Sequence, residues 1–356
     1  MVIFTGGTVA GNVAKSEVSQ NVKSDPNSFM AILKNCIEIV KLNWHIEITP
    51  SIEELFNIDS SNMQPENWTI LAEKIAETYD EYDAYIVLHG TNTMGYTAAA
   101  LSFALENINK PVVFTGAQVP LGYLGSDATT NLVNALRLAV WEYHEIKGVM
   151  AVFGSKIITG TRVKKGTDFD YDPFSSFQKG ALGQIGRFMR IDEGALRKHV
   201  SYLSKYKPLA IQSRVLSVKK EFNTSVIASL TEFPGMPVDV FQTLAEQNGI
   251  KAFIFRAFGA GDPSGHLFPA FEYLKEKQIP IVVTTQAPSG VASFQVNETG
   301  QYLREHELAI PAFDMSIEAM TTKLSWLLAQ NLSYEQIKLK MLEDLHGEIQ
   351  IENEMI

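Results

Sequence analysis

Short apolar runs, each ending in small or hydroxylated residues, constrain this chain more than any other feature. Such runs occur at 2–5, 45–49, 84–88, 112–115 and 149–153, and helical periodicity fills the stretches between them at about 28–42, 64–79, 97–108 and 127–141. Runs this short, separated by amphipathic segments, read as strands joined by crossover helices. That alternation predicts an α/β fold with a parallel sheet covered by helices on both faces. The stretch "QPENW" starts one helix well, with Pro65 early and Glu66 in the first turn.

From 187 to about 222 the pattern loosens and basic residues concentrate, as expected of a solvated connection with some hairpin content. A second series follows, with strands at 226–230, 252–256 and 281–285, helices at 238–248 and 267–277, and closing helices at 316–330 and 333–345. The chain has 356 residues, and a single core stops growing at roughly 250–300 residues. We therefore expect a larger N-terminal α/β domain over 1–190, a linker over 191–222 and a smaller C-terminal α/β domain over 223–356.

Charge and cysteine content narrow the function classes. The net charge of −10 weighs against a general nucleic-acid or anionic-membrane surface. Cys36 is the one cysteine, so no intrachain disulfide can form, and its apolar helical surroundings read as the core. No apolar run approaches the ~20 residues of a membrane span, and no charged leader with an apolar stretch precedes the first glycines. The expected location is the cytoplasm, with neither nucleic acid nor membrane as a partner.

In open α/β sheets ligands sit beyond the carboxyl ends of the strands. Three such loops are rich in small and hydroxylated residues: "TGGT" at 5–8, "HGTNTM" at 89–94 and "TGAQVPLGYLGSD" at 115–127. The adjacent Gly6 and Gly7 do not match a dinucleotide fingerprint, and no P-loop lysine follows. Taken alone, "TGGT" is either a tight turn or a strand end that carries a nucleophile. Thr91 follows Gly90 at a strand end, where its hydroxyl can face the same crevice as Thr8. A threonine hydroxyl needs a base to attack at neutral pH. A lysine partly desolvated in a cleft can titrate low enough to serve. "GTRVKKGTDFD" offers Lys164 and Lys165; the alternative for that pair is a solvated charged loop. The histidines, among them His89, His144 and His266, lack metal-ligand spacing, and His89 reads as a hydrogen-bonded structural histidine. No G-x-S-x-G elbow occurs.

In these motifs the chain resembles the asparaginase–glutaminase amidohydrolases, most closely the cytoplasmic type I L-asparaginases. The resemblance rests on "TGGT", "DSSNMQPENW" (59–68), "HGTNTM", "TGAQVPL" and "GTRVKK", and in the second half on "RAFGAGD" (256–262), "TTQAPSG" (284–290) and "FDMSIEAMTTKL" (313–324). It implies that Thr8 is the nucleophile, forming an acyl-enzyme and releasing ammonia, with no cofactor and no metal. Thr91 would be a second nucleophile-like threonine activated by Lys165, preferred to Lys164 on its spacing to Phe174. Asp59, Ser60 and Ser61 would hold the α-carboxylate and amine of a small-molecule amide, with Ala117 and Gln118 as further substrate contacts. Amides around Gly7 and Gly90 would stabilise the oxyanion. A competing reading makes Ser60 and Ser61 no more than caps before the "QPENW" helix. The resemblance also implies a homodimer or homotetramer in which a neighbouring copy completes each site.

The sequence departs from the family pattern at two places. Asn92 stands where the family has an aspartate that anchors the substrate's α-ammonium beside the catalytic lysine. The change removes a charge-assisted hydrogen bond and a counter-charge from Lys165, which is expected to lower that lysine's pKa. The family's lid tyrosine is also missing, because residues 9–28 contain none; Tyr96 and Tyr123 lie near other site loops. Where the family has an asparagine in the segment that reaches the neighbouring site, this chain has Asp262, and that acid or Glu318 would restore the lost negative charge. Three functions follow as expectations. The first is hydrolysis of L-asparagine to L-aspartate and ammonia, and the second the same chemistry on an altered amide. The third is a ligand-binding or partner subunit without turnover. An amidotransferase subunit ranks lower, since such subunits carry an extension ahead of the "TGGT" strand.

Overall fold

Residues 1–7, 11–12, 23–24, 26–121, 123–141, 146–204 and 216–350 are described by a computed structural model, which divides after Lys220 into two units. The first unit carries β1 (Val2–Gly6), β2 (Gly11–Asn12), β3 (Lys23–Ser24), α1 (Pro26–Trp44), β4 (Ile52–Ile58), α2 (Pro65–Glu77) and β5 (Tyr85–Leu88). There follow α3 (Met94–Ala104), β6 (Leu105–Glu106), β7 (Pro111–Thr115), α4 (Ala128–Ala139), β8 (Gly148–Phe153) and β9 (Lys156–Thr159). The unit ends with β10 (Val163–Lys165), β11 (Phe174–Ser176), β12 (Gly183–Ile185), β13 (Met189–Ile191), α5 (Glu193–Ser204) and β14 (Ser217–Val218).

Its main sheet runs in the order β13-β12-β9-β8-β7-β5-β1-β4. The strands from β4 to β8 are parallel, and β9, β12 and β13 continue antiparallel. Side chains alternate across such a sheet. Val2, Phe4, Ile86, Leu88, Val113, Met150 and Val152 face one core with Leu33, Cys36 and Val40 of α1 and Leu132 and Leu136 of α4. Tyr85 and Val87 point the other way, where the Tyr85 hydroxyl donates to Ile75 O of α2 at 3.2 Å. Helix α3 lies on that second face and is buried at every position but one, Tyr96. An all-round apolar helix of this kind shows no amphipathic period, which is why the sequence placed its start at 97 rather than at Met94.

The strand expected at 45–49 is displaced. α1 ends at His45, whose φ is +55° and whose N–H donates to Lys41 O. Ile46 and Ile48 then pack on the core from an irregular segment. The strand is β4, which pairs with β1 from Val2↔Ile52 at the sheet edge. Its Glu53 and Glu54 hide it from a hydrophobic pattern. Within 191–222, expected as a linker, lie α5 and β14. Leu196 of α5 is buried, His199 donates to Lys147 O at 2.8 Å, and β14 pairs with β6.

The second unit, Glu221–Ile356, contains β15 (Ile227–Thr231), α6 (Val240–Asn248), β16 (Ala252–Ala257), α7 (Phe268–Glu276), β17 (Ile281–Thr285), α8 (Glu298–Glu305), β18 (Ile310–Pro311), α9 (Ile317–Leu328) and α10 (Tyr334–Leu342). Its four strands pair in sequence order, all parallel. Phe241, Phe253, Phe255 and Phe271 fill its core, with ring centroids 5.3–5.9 Å apart in tilted and edge-on geometry; such arrangements are favoured over face-to-face stacking. At the end of this unit the Lys323 ammonium, fully buried, pairs with the equally buried Glu348 at 2.6 Å. It also donates to the carbonyls of Met341 and Glu343. Glu348 in turn accepts from the N–H groups of Leu345 and His346. Burial works to raise the Glu348 carboxyl, yet Lys323 and His346 prevail and hold it below the usual range. Among the described residues no helix is long and apolar enough to cross a membrane.

Candidate active site

Three carboxyl-terminal strand ends converge in the first unit. β1 closes on Gly6 and Gly7, β5 on His89 and Gly90, and β7 on Thr115 and Gly116. Gly7 has φ +87°, and a Cβ there would stand 2.6 Å from Gly90 Cα, so only glycine lets the two strand ends touch. A Cβ on Gly90 would likewise stand 2.6 Å from Ser60 Oγ. Thr8, the expected nucleophile, lies outside the described residues, as does most of the loop 9–28.

Around this contact the structure brings the second threonine and the lysine together. Lys165 ends β10, where it pairs in register with Phe174 of β11. Its Nζ lies 2.9 Å from Thr91 Oγ1 and 2.9 Å from Asn92 Oδ1. Burial pushes the Lys165 ammonium below its ordinary range, against a smaller upward pull from Asp168. Asn92 Nδ2 donates to Ser61 Oγ at 3.0 Å, and Ser61 N donates to Asp59 Oδ1 at 2.8 Å. The line Asp59–Ser61–Asn92–Lys165–Thr91 is therefore hydrogen-bonded throughout. Lys164, the neighbour, has interactions of its own.

Ser60 and Ser61 are not caps of α2. Asp59 caps a short 3₁₀ turn over Ser60–Asn62, and α2 is capped by Gln64, whose N–H donates to Asn67 Oδ1 at 2.8 Å. The Ser60 backbone carbonyl accepts from Thr93 Oγ1 at 2.7 Å, which fastens this turn to the start of α3. His89, expected as structural, donates from Nδ1 to Gly90 O at 2.7 Å and packs on Phe114. It is wholly buried, its Nε2 has no hydrogen-bond partner among the described residues, and burial pushes its pKa down to about 4.

The third loop is held from beneath. Asp127 accepts from the N–H groups of Gln118 and Val119 at 2.9–3.0 Å, and Asn131 donates to Gly116 O. Ala117 is buried in the core, and the Gln118 side chain reaches the carbonyls of Asp168 and Asp170. Gln118 thus ties this loop to the segment that follows Lys165. Asp127, Asn131 and Thr93 went unread in the sequence because all bond to backbone; a helix-initial acid with an amide four residues on was the available signal. Tyr96 lies in the first turn of α3, and Tyr123 is exposed in the third loop.

Asp262 and Glu318, expected to reach a neighbouring site, belong to the second unit, and both are buried there. Asp262 Oδ2 accepts from Ala260 N of its own loop and from Asn297 Nδ2 at the start of α8. His266 bonds Ser264 and Met236 O, His144 lies outside the described residues, and no group of metal-ligating side chains occurs among the described residues.

Comparison with known proteins adds to this geometry. A family model described as "Asparaginase, N-terminal" matches residues 1–196, and one described as "Glutaminase/Asparaginase C-terminal domain" matches 227–341. L-asparaginase 1 of Escherichia coli strain K12 is 36% identical over 294 residues, 82% of each chain. A glutamyl-tRNA(Gln) amidotransferase subunit from Pyrococcus abyssi is 30% identical, spanning 98% of this chain and 76% of its own. The solved structure of the thermostable L-asparaginase from Thermococcus kodakarensis matches with a TM-score of 0.80 at 29% identity, over 99% of both chains.

Proposed function

The chain belongs to the asparaginase family, and on that premise we propose that it hydrolyses a side-chain amide, with L-asparagine the reference substrate, through a threonine nucleophile and an acyl-enzyme. Family membership supports amidohydrolase activity as such; the observation that carries the finer reading is the 2.9 Å approach of Lys165 Nζ to Thr91 Oγ1.

In this mechanism Thr8 Oγ1 attacks the amide carbonyl and loses its proton to the basic groups of the site. Amides at Gly7 and Gly90 steady the oxyanion; one such donor is typically worth about 2.7–4 kcal/mol. Collapse breaks the carbon–nitrogen bond, and ammonia leaves with a proton returned by the same groups. Water then adds to the Thr8 ester, giving the carboxylic acid and free Thr8. Lys165 serves as the base through Thr91. As a neutral amine its two N–H groups still satisfy Asn92, while its lone pair takes the Thr91 proton. Its lowered pKa, caused by burial, makes that neutral form more available. Asp59, Ser60 and Ser61 position the substrate backbone, and Ala117 and Gln118 close the site through their main chain. The same reading has the protein working without cofactor or metal, as a homodimer or homotetramer in the cytoplasm.

A second reading is favoured by the likeness to the amidotransferase protein over 98% of this chain, namely that the released ammonia is passed to a partner protein. Ammonia release from L-asparagine, L-glutamine and D-asparagine separates the two. The purified chain alone is expected to turn over L-asparagine, with Thr8→Ala abolishing release and Lys165→Met lowering kcat by about 10²–10⁴. Undiminished release from Thr8→Ala would remove the nucleophile assignment. Activity that arises only with a partner would favour the second reading.

A further inference from the structure

What the site offers to a ligand beside its base is set by the orientation of Asn92. An Nζ that donates must face an oxygen, so Asn92 turns Oδ1 to Lys165 and Nδ2 to Ser61. Ser61 Oγ accepts from Asn92, which leaves the serine proton to donate elsewhere, together with the second N–H of Asn92. The wall next to Lys165 therefore presents two donors and carries no charge of its own, and the group behind it is a lysine.

A free amino acid brings an ammonium to its binding site. That group has only donors and a positive charge, and it calls for acceptors, best of all a carboxylate. Among the described residues of this unit no carboxylate bonds to Asn92 or Lys165, and Asp59 meets the wall only through the Ser61 N–H. Asp59 Oδ1 is taken by Ser61 N, and Asp168 is exposed beyond Lys165. In the second unit Asp262 is buried, with Oδ2 held by Ala260 N and Asn297 Nδ2 and Oδ1 without a hydrogen-bond partner among the described residues, which is why its variant enters the test.

From this donor wall we propose that the site prefers asparagine acylated at its α-nitrogen, as in an N-acyl or peptide-linked residue, over free asparagine. The proposal rests on the hydrolytic reading above. Acylation removes the ammonium charge and supplies a carbonyl oxygen, which accepts from Ser61 Oγ–H and Asn92 Nδ2–H. The reaction is unchanged: the side-chain carbon–nitrogen bond breaks, ammonia leaves, and the oxygen of water ends in the new carboxylate.

The experiment compares kcat and KM for ammonia release from L-asparagine, N-acetyl-L-asparagine and glycyl-L-asparagine. The proteins are the unaltered chain and the variants Asn92→Asp, Ser61→Ala and Asp262→Asn. The unaltered chain is expected to favour the acylated substrates about tenfold or more in kcat/KM, since a charge-assisted bond is roughly twice as strong as a neutral one. Asn92→Asp should lower KM for free asparagine by about the same factor with a smaller change in kcat. Ser61→Ala should raise KM for the acylated substrates by a larger factor than for free asparagine, a readout that stands if the first variant folds poorly. Preference for free asparagine in the unaltered chain, with KM insensitive to Asn92→Asp, overturns the proposal. So does a KM for free asparagine that rises in Asp262→Asn, which would mean that a second copy supplies the anion. Absence of ammonia from all three substrates overturns the hydrolytic reading and this one with it.

Discussion

His89 illustrates how a residue can sit at a strand end within the site and still serve the fold. Its ring is buried, donates to the next carbonyl and stays neutral, with a pKa pushed from 6.5 to about 4 by desolvation. Between those values the unfolded chain binds a proton that the folded chain refuses, so stability is fully present above pH 6.5 and is lost as pH falls toward 4. The loss amounts to about 3 kcal/mol over that window. Urea melts at pH 7, 5.5 and 4.5 are expected to show it, and His89→Gln should flatten the slope. An unchanged slope in the variant would assign the acid sensitivity to other groups. At this scale the sequence was legible where chemistry depends on residue type. Thr91 and Lys165, read as neighbours from motifs far apart in the chain, lie within hydrogen-bond distance. It was silent on Thr93, Asp127 and Asn131, which bond chiefly to backbone atoms that any residue would supply, with one side-chain bond from Asn131 to Asp127.

Among the elements, the buried central strands were easy to read and the strands at the ends of the sheet were not. A central strand such as β7 is buried on both faces and stands out as "PVVFT". β12 and β13 lie at the end of the sheet, are short and alternate with exposed positions, so nothing in "GQI" or "MRI" marks a strand. The end of the second unit poses a different problem, because its Lys323–Glu348 pair looks in the sequence like two surface charges. In the fold both are buried and hydrogen-bonded. Lys323→Met should therefore cost about 3–5 kcal/mol, because it strands the Glu348 carboxylate. Lys323→Met with Glu348→Leu should recover much of that loss, since two apolar groups of similar volume replace the pair. Guanidinium unfolding of the single and double variants measures both. A single variant within about 0.5 kcal/mol of the parent, the usual span of a surface substitution, would contradict the buried pairing.

For the molecule as a whole, two series of alternating elements announced two α/β units, and the division falls after Lys220. The boundary was harder to place than the units themselves, because α5 and β14 carry too few apolar residues to stand out from a connection. Each unit has its own core, the second built on its four-phenylalanine cluster. A fragment over 221–356 should accordingly fold alone and melt cooperatively in near-ultraviolet circular dichroism, its length being typical of an independent domain. A featureless melt would show that its core needs the rest of the chain. The first unit carries a constraint of another kind in the stacked Gly7, Gly90 and Ser60, where neither glycine has space for a Cβ. Descendants of this sequence can neither widen nor narrow the pocket from that side without separating two strands. On the proposed reading, variation in what such proteins accept is channelled into Ser61 and Asn92, whose exposed side chains can change without moving the backbone, and a single codon there would redirect the diet.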